Sequence, residues 1–240
     1  MILKSSSINC QNCNINQLCL PYSLNGHDME RLDQLIQRRK PLQKHANLFS
    51  NGEPLVYLYA VRSGSFKSYH QDSKGNQQIT AFHLPGDIIG FDAVASETHN
   101  SYAQALETSM VCEIPFNAIE ELSGNIPTLR KQIFNLMSGE ICADKQLHMS
   151  LAQKNAEEKL AGFIFSLSVR YKERGFSSKE FRLSMARNEI GNYLGLTIET
   201  ISRLLNKFQK DGMLEVNGKF ITIVDQEKLD VLVGNIKGCA

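Results

Sequence analysis

Three cysteines lie close together near the start of the chain, and a fourth stands alone far downstream. Cys10, Cys13 and Cys19 follow a C-x2-C-x5-C spacing, and the fourth is Cys112. Thiolates bind soft or borderline metals, so these four suit either zinc or an iron–sulfur cluster. Structural zinc sites usually combine two C-x2–4-C pairs, whereas a cluster spreads its iron atoms over a cube. The irregular spacing favours a cluster and leaves zinc open.

A second pattern, near the C-terminus, is typical of a DNA-reading unit. Residues 189–194 predict a short helix, Gly195 breaks it, and residues 198–210 predict a second helix that Thr197 caps. An Asn-Gly pair at 217–218 then predicts a hairpin. Helix, turn, helix and hairpin in this order indicate a helix-turn-helix followed by a wing.

The outer face of the second helix carries side chains that suit base edges. Arg203 can donate two hydrogen bonds to guanine, Glu199 can accept from cytosine, and Ser202 can serve several bases. The whole chain has a net charge of only +1, but basic residues outnumber acidic ones in residues 151–240. This local excess weakly favours contact with phosphates. Any amphipathic helix exposes polar residues, so this face indicates DNA binding only together with the surrounding helix-turn-helix motif.

The elements that must position these residues include a run of short strands and one long helix. The strands are bounded by turn signals, which predicts an antiparallel roll or barrel. They are expected at residues 56–61, 66–70, 78–84, 88–91, 102–106 and 110–114.

The long helix is predicted over residues 127–152, with Pro127 near its start. Its apolar residues recur close to a coiled-coil seam, which favours pairing with a second copy of the chain. The seam residues that we select are Ile133, Met137, Ile141, Asp144 and Leu151. Two copies of Asp144 would then face each other at a cost in free energy. Alternatively, the helix packs on its own roll and Asp144 points outward.

Composition indicates a folded protein. The chain has 240 residues, of which 42% are hydrophobic, enough for one large or two ordinary domains. No stretch approaches the roughly 20 apolar residues that span a bilayer, and no secretory signal is visible. We therefore expect a cytoplasmic protein without membrane contact, in which clustered cysteines bind metal rather than form disulfides.

The cysteines together with two longer segments resemble a known family. Residues 106–113 (LETSMVCE), which include Cys112, and residues 194–203 (LGLTIETISR) complete the pattern that Cys10, Cys13 and Cys19 begin. The chain resembles the oxygen-responsive FNR (fumarate and nitrate reduction) regulators of the cyclic-AMP-receptor/FNR superfamily. The resemblance covers nearly the whole chain, and its motifs are specific in combination.

The resemblance implies an α+β fold with four parts. These are a cluster-binding N-terminal arm (1–25), a cupin-like antiparallel β-roll sensory domain (26–126), a long dimerisation helix (127–152) and a C-terminal winged helix-turn-helix DNA-binding domain (153–240). It also implies a transcription regulator, activator or repressor, that works as a homodimer and touches RNA polymerase.

The resemblance also implies the site residues and their ligands. Cys10, Cys13, Cys19 and Cys112 would ligate a [4Fe-4S] cluster that favours the DNA-binding dimer under anaerobic conditions. Oxygen would convert the cluster to [2Fe-2S] and release the DNA. Glu199, Ser202 and Arg203 would read TTGAT-type half-sites of a palindrome in double-stranded DNA.

Cyclic AMP, a ligand of other superfamily members, is not expected here. A buried cyclic phosphate needs a cation, usually Arg, beside backbone amides. Residues 76–129 contain no Lys or Arg, and residues 85–92, which resemble the phosphate site, supply Asp instead. The roll is therefore interpreted as a scaffold without a nucleotide site.

Enzymatic activity is not expected either. The chain has no G-x-S-x-G, no H-E-x-x-H and no Gly-rich phosphate loop, and its six histidines are scattered. The alternative to a DNA-binding regulator is a zinc- or small-ligand-binding module whose C-terminal domain docks on a protein. Protein with a cluster would be brown, and zinc protein would be colourless.

Overall fold

The computed structural model describes residues 9–22 and 24–234. Both ends of the chain, including parts of the predicted arm and of the predicted C-terminal domain, lie outside the described residues. The chain divides into two compact units, residues 1–68 with 82–138 and residues 69–81 with 139–240. Within the part of the chain that the structure describes, no helix is both long enough and apolar enough to cross a membrane.

The first unit begins with two one-turn 3₁₀ helices, Cys10–Asn12 and Asn16–Leu18, and continues into helix α1, Gly26–Leu35. The Asn25 side chain caps α1 by accepting a hydrogen bond of 2.9 Å from the Asp28 amide. Leu32 anchors α1 in the core and is completely buried. This helix was not predicted from the sequence, because most of its residues are polar, although Met29, Leu32 and Ile36 follow a helical spacing and belong to one hydrophobic cluster.

Eight strands form the roll, which confirms the expected antiparallel β architecture. One sheet has the order β1-β8-β3-β6 and the other the order β2-β7-β4-β5. The strands are β1 (Gln37–Arg38), β2 (Asn47–Phe49), β3 (Tyr57–Ser63), β4 (Phe66–Gln71), β5 (Gln77–His83), β6 (Ile88–Ile89), β7 (Tyr102–Ala105) and β8 (Met110–Pro115). Six of these overlap the predicted strands, whereas β1 and β2 are too short to show a pattern.

Two hydrophobic clusters fill the first unit. One lies among strands β2, β3, β4, β6, β7 and β8 and includes Phe49, Val61, Phe66 and Val111. The other joins the N-terminal arm to α1, to the roll and to the helices that follow it. Its members include Cys10, Cys19, Leu20, Leu32, Leu58, Ile114, Leu122 and Leu129. The cysteines of the arm are therefore part of a hydrophobic core.

Helix α2 (Phe116–Asn125) and helix α3 (Pro127–Gln153) follow the roll. The bounds of α3 agree with the predicted long helix within one residue. Within α3, all of which the structure describes, Leu129 is the sole buried residue. The remainder of its apolar side chains are left partly or fully exposed, although globular proteins normally cover such side chains.

The second unit contains the helix-turn-helix and its wing. Helix α4 starts with a capping box in which the Asn155 side chain accepts from the Glu158 amide at 3.1 Å and the Glu158 carboxylate accepts from the Asn155 amide at 2.9 Å. The sheet has the order β10-β11-β9. The elements are α4 (Ala156–Glu173), β9 (Glu180–Arg182), α5 (Arg187–Leu194), α6 (Ile198–Lys210), β10 (Leu214–Asn217), β11 (Phe220–Ile223) and α7 (Gln226–Val233).

The same unit includes residues 69–81, which contact α5 through one asparagine. The Asn192 side chain accepts a hydrogen bond of 2.6 Å from the Ile79 amide and donates one of 2.7 Å to the Gln77 carbonyl. The side-chain amide thus pairs with the edge of β5 as a neighbouring strand would. This contact satisfies backbone groups that would otherwise need water.

Candidate metal centre and nucleic-acid interface

All four cysteines selected from the sequence line one cavity of the first unit. Cys10 and Cys19 are buried, and Cys13 and Cys112 are partly exposed. Cys112 lies on β8, paired with Arg38 of β1 on one side and with Ala60 of β3 on the other. The other lining residues are Ile15, Asn16, Pro21, Ile36, Ala60 and Arg62. The fold therefore brings the distant fourth cysteine to the N-terminal three.

Short local hydrogen bonds hold the three arm cysteines in place. Asn9 and Asn12 cap each other across the first turn, with side chain to amide distances of 2.9 Å and 3.1 Å. The Cys13 carbonyl accepts from the Asn16 amide at 3.1 Å, and the Cys19 carbonyl accepts from the Tyr22 amide at 3.1 Å. Tight turns of this kind need polar side chains rather than an apolar pattern, which explains the Asn-rich composition of the arm.

Burial controls the protonation of these thiols. Burial raises the pKa of Cys19 to about 12, and burial followed by a hydrogen bond to Asp33 raises the pKa of Cys10 further. Burial also raises the pKa of Cys112, although Arg38 and Arg62 act in the opposite direction. The raised pKa values keep the metal-free thiols of Cys10, Cys19 and Cys112 protonated near neutral pH, so binding a metal must displace these protons.

The four thiols could serve either a single zinc ion or a cluster. In the described part of the chain, no group of three His, Cys, Asp or Glu side chains is already arranged to hold a metal ion. Zinc would need four sulfurs at about 2.3 Å from one centre, whereas a cluster binds each cysteine to a different iron. The cavity that the four cysteines line is small, about 30 Å³.

The cysteine site is directly connected to helix α3. The Gln132 side chain donates a hydrogen bond of 3.4 Å to the Cys19 carbonyl. Leu129 is buried in the same hydrophobic cluster as Cys10 and Cys19, and Ile133 packs against that cluster. A change around the cysteines therefore has a physical route to the start of α3. Gln132 was not selected from the sequence, because its role depends on tertiary contact.

The five seam residues on α3 have different surroundings. Ile141 is 54% exposed and Asp144 is exposed, whereas Ile133, Met137 and Leu151 are partly covered. Ile133 lies on the predicted seam and also packs against the hydrophobic cluster of its own chain. Phe134 and Met149, which are 62% and 55% exposed, add apolar surface that the sequence analysis did not select. The structure thus leaves most of the predicted seam open to a partner.

The helix-turn-helix forms where it was predicted. Gly195 ends α5 in the left-handed region, at φ 65°, and the Thr197 side chain caps α6 by accepting from the Thr200 amide at 3.2 Å. Gly191 is required by the turn, because a Cβ there would lie 2.6 Å from the Leu196 carbonyl oxygen. The bounds of α6 match the prediction at both ends.

Helix α6 is divided sharply between an inner and an outer face. Ile201, Leu204, Leu205 and Phe208 are buried, as expected. Glu199 and Arg203 are exposed, and Ser202 is partly exposed. The Ser202 hydroxyl accepts a hydrogen bond of 3.3 Å from the Arg187 guanidinium, a second cation beside the reading face that the sequence analysis missed.

An open depression beside Arg203 extends the polar surface of α6. It is lined by Arg203, Asn206, Lys207, Lys210 and Asp211. Lys207 forms an ion pair with Glu157 in the first turn of α4, at 2.5 Å. The lysines at α6 positions 207 and 210 suit phosphate contacts, whereas Arg203 suits a base edge.

In the roll, residues 85–92 form the region that resembles a phosphate site. The carboxylates of Asp87 and Asp92 in this region accept hydrogen bonds from neighbouring residues. Asp92 accepts from the Asn100 amide at 3.1 Å and from the Ser101 hydroxyl at 2.8 Å, and it lies 3.2 Å from His99. Asp87 accepts from the Leu84 amide at 2.7 Å. Both carboxylates therefore already accept hydrogen bonds from groups of the roll.

A winged helix-turn-helix together with an antiparallel β-roll defines a helix-turn-helix transcription regulator. Residues 158–232 match the family described as Crp-like helix-turn-helix domain, and residues 39–125 match the cyclic nucleotide-binding domain family. FixK2 from Bradyrhizobium japonicum has the same fold, with a TM-score of 0.76, 28% identity and coverage of 83% of this chain and 98% of that chain. A CooA mutant from Carboxydothermus hydrogenoformans gives a TM-score of 0.68 at 20% identity, with 88% and 92% coverage.

Full-length relatives are closer still. Electron transport regulator A of Shewanella oneidensis is 55% identical over 231 residues, 96% of this chain and 92% of that protein. The fumarate and nitrate reduction regulatory protein of Escherichia coli strain K12 is 56% identical over 234 residues, 98% of this chain and 94% of that protein. The chain belongs to the family of fumarate and nitrate reduction regulatory proteins, within the Crp/FNR transcription regulators. This confirms the resemblance and the expectation that the chain is not an enzyme.

Proposed function

We propose that this transcription regulator senses oxygen through a [4Fe-4S] cluster held by Cys10, Cys13, Cys19 and Cys112. The observation that carries the proposal is the convergence of all four thiols on one cavity that adjoins the start of α3. A cluster held by these cysteines would supply an inorganic group that reacts with oxygen. Arg38 and Arg62 support the site, because they place positive charge near the Cys112 thiolate.

The residues around the cavity link the site to dimerisation. Ligation of the three arm cysteines pins the arm to β8 through Cys112, which ties Cys19 and its neighbours firmly against Leu129 and Gln132. We propose that this fixes the orientation of α3 and closes the seam against a second copy. The seam consists of Ile133, Met137, Ile141, Asp144 and Leu151. A small bias in dimer state then becomes a large bias in DNA occupancy, because two joined half-sites bind far better than one.

DNA reading in this proposal falls to the outer face of α6. Glu199, Ser202 and Arg203 contact bases in TTGAT-type half-sites of a palindrome, and the dimer places two α6 helices one helical turn apart. The regulator then meets RNA polymerase at the promoter. The parts of the chain are the arm (1–25), the roll (26–126), the dimerisation helix (127–152) and the DNA-binding domain (153–240).

The same proposal excludes cyclic nucleotides as ligands. Asp87 and Asp92 accept hydrogen bonds from local amides and hydroxyls, and residues 76–129 contain no cation. An incoming phosphate would meet repulsion without a compensating Arg. The match of this region to cyclic nucleotide-binding domains therefore reflects a shared fold.

The proposal is tested by preparing the protein without oxygen and comparing it with Cys19→Ser. The unmodified protein should be brown, contain iron and sulfide, and bind its operator, whereas Cys19→Ser should lose visible absorption and operator binding together. Ser73→Ala, which changes an exposed residue of the turn between β4 and β5, serves as the control and should keep both. Oxygen-sensitive operator binding that persists in Cys19→Ser would contradict the proposal. A colourless, zinc-containing preparation would instead support the alternative module.

A further inference from the structure

Asp33 of α1 lies between the first cysteine of the arm and a cation of the roll. Its Oδ1 atom accepts a hydrogen bond of 2.9 Å from the Cys10 amide and one of 2.5 Å from the Arg38 guanidinium. Two hydrogen bonds, one from the arm and one from the roll, therefore converge on one side chain that is 24% exposed.

Arg38 continues this connection to the distant cysteine. It lies on β1, where it is the direct partner of Cys112 on β8. A short polar path thus runs from the Cys10 backbone through Asp33 and Arg38 to the strand pair that carries Cys112. The path joins two cysteine-bearing segments that are far apart in the chain.

An ordinary surface ion pair would not explain this arrangement. Exposed pairs contribute little, and they seldom involve a backbone donor of a third segment. Here the acceptor serves the backbone amide of a buried cysteine, and it joins the arm to the roll through Arg38. Arg38 also offsets the negative charge that Asp33 brings close to a sulfur atom.

We propose that Asp33 is a positioning residue that holds Cys10 in register with Cys112, with Arg38 as its anchor on the roll. This inference deepens the proposed cluster site and rests on it. Metal sites are commonly oriented by hydrogen bonds from outside the ligand set, and the loss of such partners weakens metal binding by about 10- to 100-fold.

The first test uses metal-free protein and needs no cluster. In Asp33→Ala, alkylation of Cys10 by iodoacetamide, followed by mass spectrometry and referred to Cys13 in the same molecule, should be about 3- to 10-fold faster, the factor expected for one lost hydrogen bond. Asp33→Asn keeps an oxygen acceptor for the Cys10 amide and should restore most of the protection. Glu30→Gln changes another carboxylate of α1 that faces the arm and should leave the rate unchanged.

The second test uses protein isolated with its cluster under anaerobic conditions. Iron release to a chelator should be about 10-fold faster in Asp33→Ala and faster in Arg38→Gln than in the unmodified chain, with the Glu30→Gln control unchanged. Equal alkylation and equal iron release in Asp33→Ala and the unmodified chain would overturn the inference. If the unmodified chain holds no cluster, the proposed function fails, and the alkylation rates still decide the inference. Should Asp33→Ala not fold, as judged by circular dichroism, Arg38→Gln decides it instead, and iron release as slow as in the unmodified chain would overturn the inference.

Discussion

Arg203 is the exposed α6 side chain that is best suited to recognise guanine. Arg203→Leu removes two hydrogen-bond donors to a base edge, so the preference for the guanine position should fall by about 1–3 kcal/mol. Fluorescence anisotropy on operators that differ at single positions measures this preference. Lys210→Gln is the control, since loss of a phosphate contact should weaken all sequences about equally. An unchanged preference in Arg203→Leu would mean that another side chain recognises the guanine, and Arg187 is a cation beside the same face of α6.

Individual residues were predictable where their role follows from chain periodicity. The exposed positions of Glu199 and Arg203 follow from the apolar spacing of α6, and the four cysteines were found by type and by family resemblance. Asp33 and Gln132 could not be found in this way, because each acts through a contact with a segment far away in the sequence. From the sequence alone, a polar residue with a specific tertiary partner cannot be distinguished from a polar residue that only faces solvent.

Gly191 shows how one position decides whether the helix-turn-helix can close. In Gly191→Ala, the new Cβ would meet the Leu196 carbonyl oxygen at 2.6 Å, and backbone there cannot move without opening the turn. We expect a loss of about 1–3 kcal/mol in the free energy of unfolding of this unit, together with weaker operator binding. Thermal unfolding followed by circular dichroism measures the change.

The matched control for that substitution is Gly124→Ala near the end of α2. A Cβ at Gly124 meets nothing within 4 Å, so alanine should raise the free energy of unfolding by up to about 1 kcal/mol. Equal effects at both glycines would contradict the steric explanation for Gly191.

At the scale of elements, caps and turn signals were the reliable signals. Thr197 and the Gly195 turn fixed the bounds of α6, and the turn signals placed strands such as β4 and β5 close to their observed positions, although the burial of these strands does not alternate. Helix α1 was missed because most of its residues are polar, and strands β1 and β2 were missed because they are too short to show a pattern. The pairing of Asn192 with β5 is a tertiary contact that no local signal announces.

Asp144 predicts how the whole molecule should respond to pH. Burial raises the pKa of Asp144, against the effect of nearby His148, and a facing copy would raise it further. The Asp144 carboxyl then binds its proton more tightly in the dimer than in the monomer. As pH rises above its usual pKa of 3.8, this proton is lost and the two carboxylates repel each other, so dimerisation of cluster-free protein should weaken. Sedimentation velocity at about pH 5.5 and pH 8 measures this.

Asp144→Asn should remove that dependence and favour the dimer at both pH values, by roughly fivefold or more, since two close unit charges cost about 1 kcal/mol even in water. Operator binding in air should rise with it. A variant that stays monomeric at both pH values would show that α3 does not pair through this seam.

The ion pair between Lys207 and Glu157 affects how strongly the regulator should depend on salt. Each phosphate neutralised by a free cation releases condensed counterions from DNA, which sets the slope of affinity against ionic strength. Lys207 is already paired with the Glu157 carboxylate of α4. A DNA phosphate must therefore compete with this carboxylate, and its contact with Lys207 contributes less to the binding free energy. The slope should therefore be shallower than a count of the basic residues on α6 suggests, which lets the protein tolerate ionic fluctuations while base contacts set its choice of site.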